Sequence, residues 1–319
     1  MSEIAEGSTP QFSVVIPHLN EPGDLRRCLS SLQQAGAKGH SFEIIVADNG
    51  SRESPQEVCD AFPNTRLVVE LSPGPGPARN AGAALARGEI ICFIDADCVA
   101  APDWFDVYAR YFEGHPRVDF IGGEILILPR TPGKLTMLEA YEAVFSYRVR
   151  LFVERDKFAA TGNMAVRRCV FNAVGPFDGI AQHEDKTWGQ RAVAEGYCIA
   201  YLPTARIYTP GCATFGELAA RVRRQVAHDF NEQHNNWSAR AKWLLKSFLM
   251  VPSPLWGIGE IVRSPHVNGF AKRCEVFACL CGVRFYRSML MLGMLRRDRS
   301  ATHLLTWNRP AGAVPKKDG

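Results

Sequence analysis

An α/β fold, a sheet flanked by helices with a helical C-terminal extension, is what this 319-residue sequence predicts. Three observations carry that reading. Short Val/Ile-rich runs alternate with helical patterns through the first hundred residues, polar residues follow several of those runs, and from Glu217 onward only helical patterns remain. Strands alternating with helices imply a mostly parallel sheet covered on both faces, with ligands at the carboxyl ends of its strands.

The elements follow in order. Phe12–Pro17, Glu43–Ala47, Arg66–Glu70 and Ile90–Ile94 read as buried strands bounded by Gly, Pro, Asn or Asp. Between them Asp24–Ala35, Ser54–Ala61 and Pro77–Arg87 read as helices; Asp24 is a candidate cap, and Leu25, Cys28, Leu29 and Leu32 share one face. Pro77 suits a first helical turn. Then come a helix at Pro102–Glu113, a strand at Phe120–Leu128, an aromatic helical stretch from Leu135 to Phe152, and a strand at Ala160–Val166. A short helix at Thr187–Glu195 precedes a strand at Ile199–Leu202. The expected organisation is a disordered 1–11, an α/β domain over 12–216, a helical region over 217–300 and a tail over 301–319.

Composition excludes several classes. With 46% hydrophobic and 22% charged residues, the chain is neither collagenous, low-complexity nor wholly disordered. Met1–Gln11 carries Glu3 and Glu6 and no apolar run, unlike a secretory signal. Ten scattered cysteines without a Cys-x-x-Cys pair read as reduced thiols, consistent with a cytoplasmic protein. The net charge of +4 hides a split: residues 217–319 hold 17 Lys/Arg against 7 Asp/Glu, and residues 1–216 hold 20 against 26. A basic C-terminal third asks for an anionic partner.

The strongest chemical signal is Phe93-Ile94-Asp95-Ala96-Asp97-Cys98. Two carboxylates one residue apart at the end of a buried strand suit a hard divalent cation, Mg²⁺ or Mn²⁺, shared with substrate phosphate oxygens. A solvated turn is the plain alternative. Asp48, in Asp48-Asn49-Gly50-Ser51, sits either in a simple Asn-Gly turn or at a strand tip facing a nucleobase. Pro17-His18-Leu19-Asn20-Glu21 ends the first strand at the same sheet edge. Gly74-Pro75-Gly76-Pro77-Ala78-Arg79-Asn80 places an Arg in the first turn of a helix, where it suits a diphosphate. The turn His18–Gly23 lacks Gly-x-Gly-x-x-Gly, which argues against a dinucleotide oxidoreductase.

These segments, with Thr161-Gly162-Asn163-Met164-Ala165, Val174-Gly175-Pro176-Phe177-Asp178, Glu184-Asp185 and Arg191, resemble in order and content the family 2 glycosyltransferases of GT-A fold. The resemblance covers about residues 12–230. It implies inverting transfer of a sugar from a nucleotide-diphosphate donor, UDP favoured, to a glycan or lipid-linked acceptor in polysaccharide biosynthesis, with a divalent metal. By resemblance, Pro17, Asn20, Glu21 and Asp48 hold the nucleobase and ribose, and Arg79 lies near the base or diphosphate. Asp95 approaches the ribose and the metal, and Asp97 ligates it. Asp185 is the catalytic base beside Glu184, and Thr161, Gly162, Asn163, Met164, His183 and Arg191 line the sugar and acceptor cleft. Two departures stand out. His183 occupies a position where many relatives have Gly, and Ala205–Pro210 lacks the His that often joins the metal. Arg223-Arg224-Gln225 is all that corresponds to the Gln-x-x-Arg-Trp of polymerising relatives, so processive synthesis is not supported. A catalytically weak assembly subunit of the same fold and a nucleotidyltransferase are the rival readings.

In the tail, Glu217–Phe230, Trp243–Met250, Pro254–Val262 and Cys274–Leu295 read as helices, none reaching the ~20 apolar residues that span a bilayer. Residues 263–299 combine Arg263, Lys272, Arg273, Arg284, Arg287, Arg296, Arg297 and Arg299 with Phe270, Phe277, Phe285 and Tyr286. That mixture predicts helices lying on an anionic membrane surface, at the inner face of the plasma membrane. The alternative is packing on the catalytic body or in an oligomer. Nucleic acid is not expected, because no binding module accompanies the charge.

Overall fold

A computed structural model describes residues 9–37, 39–179, 183–231 and 236–295. In chain order the elements are β1 (Phe12–His18), α1 (Pro22–Gly36), β2 (Phe42–Asp48), α2 (Gln56–Asp60), β3 (Thr65–Val69), α3 (Pro75–Ala84), β4 (Ile90–Ile94), β5 (Val99–Ala100), α4 (Trp104–Gly114) and β6 (Phe120–Leu128). They continue with α5 (Met137–Phe145), α6 (Val149–Glu154), β7 (Asn163–Arg167), α7 (Arg168–Val174), α8 (Glu184–Ala194), β8 (Ile199–Pro210), α9 (Phe215–Asn231), α10 (Trp237–Met250), α11 (Pro254–Arg263) and α12 (Phe270–Met294).

The eight strands form one sheet in the order β3-β2-β1-β4-β7-β6-β8-β5. The expected parallel arrangement holds for β1 with β2 and β4, and for β2 with β3. The other half is antiparallel: β7 against β4 and β6, and β5 against β8. Apolar runs encode burial rather than direction, so the mixed character is a correction from tertiary pairing. Register sets the site: His18 pairs with Asp48, and Ile94 with Asn163, which puts the tips of β1, β2, β4 and the start of β7 along one edge.

Helix α1 opens with Pro22 in its first turn; Glu21 takes the cap position and Asp24 the first turn, where the helix dipole favours an acid. The predicted stripe is buried: Leu25, Cys28, Leu29 and Leu32. Helix α3 begins at Pro75, two residues before the expected start, after Gly74 at φ +119, a conformation glycine adopts without strain. Phe93, Phe120, Met164, Phe171, Phe177 and Trp188 pack on one face of the sheet.

The described residues divide into two compact units, one of residues 9–125 with 149–209 and one of residues 126–148 with 210–295. The long helical stretch at 135–152 is therefore two helices, α5 and α6, assigned to different units. Of the N-terminal stretch expected to be disordered, Met1–Ser8 lies outside the described residues, whereas the Gln11 backbone N–H donates to Ser41 O at 3.0 Å. The tail 301–319 and Arg296, Arg297 and Arg299 also lie outside the described residues.

In the second unit, Thr136 and Glu139 form a capping box at the start of α5. Leu138, Tyr141, Val222, Val226, Trp243, Ile261, Val276, Leu280 and Met291 make its core. Glu142, without exposure, accepts from the Cys212 backbone N–H at 2.6 Å and from Arg221. The 25-residue α12 is long and apolar enough to cross a membrane by length and composition, with mean hydropathy 1.3 over its apolar window. This corrects the expectation that no segment reaches that length: counting uncharged runs stops at Arg284 and Arg287. The helix packs here against α5, α9, α10 and α11.

Candidate active site

Arg79, one turn into α3, is the hub. It is 4% exposed, donates through Nη2 to Asp95 Oδ1 at 2.6 Å and through Nη1 to Glu184 Oε1 at 2.9 Å. One guanidinium thus joins the tip of β4 to the first turn of α8. Burial works against its charge, but the carboxylates of Asp95 and Glu184 more than offset that and hold it protonated. Among the described residues its Nε has no hydrogen-bond partner.

Around that bridge the carboxylates differ. The Asp97 carboxylate meets the Cys98 thiol at 3.3 Å. Burial and then the neighbouring Asp95 push its pKa up to about 6, with Glu21 and Asp24 adding to the shift. Glu21 is likewise raised, by burial and then by Asp24. Acids crowded together at the end of a strand have the chemistry of a cation site. Among the described residues no group of three or more His, Cys, Asp or Glu side chains is arranged to hold a metal ion. Asp95 and Asp97 therefore fit a hard cation that takes its remaining ligands from substrate and water, the usual habit of Mg²⁺.

Asp185 follows Glu184 at the start of α8. The helix begins at Glu184, with His183 at the cap position, so both acids occupy the first turn and neither is the cap. Burial and then the Glu184 charge push Asp185 up to about 6, against the Lys186 backbone N–H, which donates to it at 2.8 Å. A carboxylate with that pKa is suited to accept a proton near neutrality. Glu184 is committed to Arg79, whereas the side-chain contact of Asp185 is the Lys186 backbone N–H of its own turn.

On the β1–β2 side, Asp48 is 4% exposed and accepts from His18 Nδ1 at 3.0 Å and from the Ser51 backbone N–H at 3.0 Å. Burial alone would raise its pKa; the hydrogen bonds from His18 and Ser51 outweigh it and lower it. The Glu21 backbone N–H donates to His18 Nε2 at 3.2 Å, so the proton of that ring sits on Nδ1, toward Asp48. His18 therefore ties the β2 tip to the turn that carries Glu21. Asn20 adopts a left-handed φ of 58°, and its side chain accepts from the Arg52 backbone N–H at 2.8 Å. Pro17 lies half-buried between these groups, paired with Ala47.

The remaining candidates separate into two sets. Gly162 belongs at the site, because a Cβ there would lie 3.1 Å from Asp95 Oδ2, and Thr161 is its buried neighbour. Asn163 and Met164 have no exposure and do not line a cleft. Asn163 Oδ1 accepts from Trp104 Nε1 at 3.0 Å and Tyr108 OH at 2.9 Å, and Nδ2 donates to the Glu124 and Ala205 carbonyls. Met164 sits in the apolar core. Arg191, near the end of α8, donates to the Pro176 carbonyl at 2.5 Å and lies 3.5 Å from Asp178, so it fastens the loop that follows α7. His183 is partly exposed at the cap.

Sequence reasoning passed over Asn49 and gave His18 no role. Asn49 is 5% exposed; its amide donates to the Glu70 and Ser72 carbonyls and accepts from the Gly74 N–H at 2.9 Å, fixing the loop that launches α3 and hence Arg79. An Asn-Gly pair in sequence signals a turn and carries no trace of this long-range work.

The Asp-x-Asp that follows β4 and the acid pair that opens α8 thus meet at one sheet edge through Arg79. The chain belongs to glycosyl transferase family 2, whose match covers residues 13–174. It is 28% identical over 255 residues to glycosyltransferase AglE of Haloferax volcanii, spanning 76% of this chain and 83% of AglE. It is 32% identical over 103 residues to the uncharacterized glycosyltransferase YibD of Escherichia coli, 31% of this chain and 29% of that protein. In fold it is similar to the mannosyltransferase PcManGT of Pyrobaculum calidifontis, solved with GDP-Man and Mn²⁺. That likeness has a TM-score of 0.58 at 15% identity, over 91% of this chain and 88% of the other. The fold is thus GT-A, and the chain is a glycosyltransferase.

Proposed function

We propose that this enzyme transfers a sugar from a nucleotide-diphosphate donor to a glycan or lipid-linked acceptor with inversion at the anomeric carbon. The observation that carries the reading is the Arg79 bridge, which holds Asp95 and Glu184, and with them Asp97 and Asp185, at one site. Pro17, Asn20, Glu21 and the His18-braced Asp48 form the nucleoside end. Asp95 and Asp97 would hold Mg²⁺ or Mn²⁺, which when bound supplies Lewis-acid stabilisation of the leaving diphosphate. Asp185 takes the proton of the acceptor hydroxyl as that oxygen bonds to the anomeric carbon and the bond to the diphosphate breaks. Such general-base action is typically worth ~10²–10⁴-fold in rate. Arg79 keeps positive charge close to the diphosphate side while its second contact orients α8.

Thermal-shift titration with UDP-sugars and GDP-mannose, with and without Mn²⁺, tests the donor, since a cognate donor stabilises by mass action. The expected result is metal-dependent stabilisation by one donor series, followed by transfer to give the inverted anomer by NMR. Retention of configuration would overturn the mechanism. A protein that melts cooperatively yet neither binds nor hydrolyses any nucleotide sugar would favour the assembly-subunit reading, and turnover of a sugar phosphate with a nucleoside triphosphate the nucleotidyltransferase.

A further inference from the structure

The consecutive helices α10 and α11, which both pack on α12, carry buried and exposed apolar residues. Trp243 and Ser247, with Pro254, Gly257 and Ile261, are buried within the second unit. A helix packed on one side of a water-facing body carries polar residues on the other. Here Leu245, Phe248, Leu249, Val251, Leu255 and Trp256 are instead 51% to 71% exposed. No charge interrupts the thirteen residues from Ser247 to Gly259. Beside α10 runs a groove of about 830 Å³ walled by Trp237, Leu244, Leu245, Phe248 and Leu295, with Arg240 and Asn236 as its polar members. Scattered exposed aliphatics need no explanation, but a set this dense marks an interaction surface.

Charge identifies what it meets. Between Asn236 and Arg273 the chain carries Arg240, Lys242, Lys246, Arg263, Lys272 and Arg273 against a single acid, Glu260, which is paired with Arg148. Arg240, Lys242, Lys246 and Arg263 are exposed. An apolar tip rimmed by cations complements anionic headgroups above acyl chains. A second copy fits worse, because a two-fold contact through this patch would set one basic rim against another.

We propose that the α10–α11 segment docks this enzyme on an anionic lipid surface, with Val251, Leu255 and Trp256 entering the acyl boundary and Arg240, Lys242, Lys246 and Arg263 at the phosphates. This moves the membrane contact away from the arginines of α12. Arg287 is paired with Asp229 at 2.5 Å, and Arg284 is half-buried against Met250. The proposal is independent of which donor the site takes, since it is read without turnover.

The test uses the full chain and phosphatidylcholine vesicles with and without phosphatidylglycerol. The protein should sediment with the anionic vesicles at low salt, be released as salt rises, and ignore the neutral ones. Replacing Arg240, Lys242 and Lys246 by Gln should lower partitioning about 10²-fold, at roughly fivefold per charge. L255E with W256E should lower it at least about tenfold with an unchanged melting curve, because both side chains are exposed. Tryptophan fluorescence of the unmodified protein should be quenched by brominated acyl chains, which needs no variant. Absence of binding at low salt, absence of quenching, or full binding by a folded L255E/W256E protein would each overturn the proposal. So would a concentration-dependent dimer, dissolved by W256E, in a protein that ignores vesicles.

Discussion

Arg79→Met isolates charge from packing at the centre of the site. Methionine keeps most of the length and the apolar stem of the buried side chain, so what disappears is the cation between Asp95 and Glu184. Removing one partner of a buried ion pair typically costs about 3–5 kcal/mol, because the other charge is left uncompensated. Here the carboxylates are unequal: the Asp95 side chain is 42% exposed and that of Glu184 18%. Water recovers much of the Asp95 share, which brings the expected loss to about 2–3 kcal/mol. For a chain of 319 residues that lowers Tm by roughly 3–5 °C. Scanning calorimetry of the donor-free protein reads it directly. In a D95N/E184Q background the same substitution should cost under about 1 kcal/mol, since no charge is then stranded. An equal loss in both backgrounds would show that Arg79 acts through packing, and the electrostatic account of the hub would be wrong.

Five further expectations rest on the same geometry. Asp97→Ala should abolish transfer and metal-dependent donor stabilisation while leaving the donor-free melting curve intact, and undiminished turnover in EDTA would sink the metal assignment. Asp185→Asn should keep donor affinity and lower kcat by ~10²-fold or more; a raised KM at unchanged kcat would make it a binding residue. Because Asp185 must be ionised to accept a proton and is pushed up to about 6, transfer should be full above that pH and fall about tenfold per unit below it. Glu184→Gln removes a charge that raises Asp185, so the acid limb should move to lower pH, and a limb that stays put would contradict the coupling. Asn163→Leu strands the Trp104 and Tyr108 donors and two carbonyls, and should cost at least ~3 kcal/mol by denaturant midpoint; a cost below ~1 kcal/mol would refute the buried-hub reading.

How much of this was legible beforehand depends on the range of the interaction. The strands β1, β2 and β4 and the stripe of α1 announce themselves because burial writes a short-range pattern of apolar residues. The ordered Asp95-Ala96-Asp97 and Glu184-Asp185 are likewise local, and their placement after apolar or before helical runs is enough to point to the edge of a sheet. What each acid does is not local. Asp97 and Asp185 rise toward 6, whereas Asp48 is lowered, although each ends a strand or opens a helix in much the same way. The difference comes from His18 and Ser51 beside one and neighbouring carboxylates beside the others. Asn163 lies one residue from Gly162, yet strand alternation turns its side chain into the core while Gly162 faces Asp95. In the tail, composition reported basic and aromatic content correctly, but only packing decided how each helix divides it: α12 buries Val276, Leu280 and Met291 and leaves Phe270, Phe285 and Met289 exposed, while α10 and α11 bury Trp243 and Ile261 and leave Phe248, Leu255 and Trp256 exposed. Local sequence thus determined the elements, the family and the inventory of acids. Long-range pairing, which no window of sequence contains, decided the antiparallel half of the sheet, the Arg79 bridge and the charge that each acid carries.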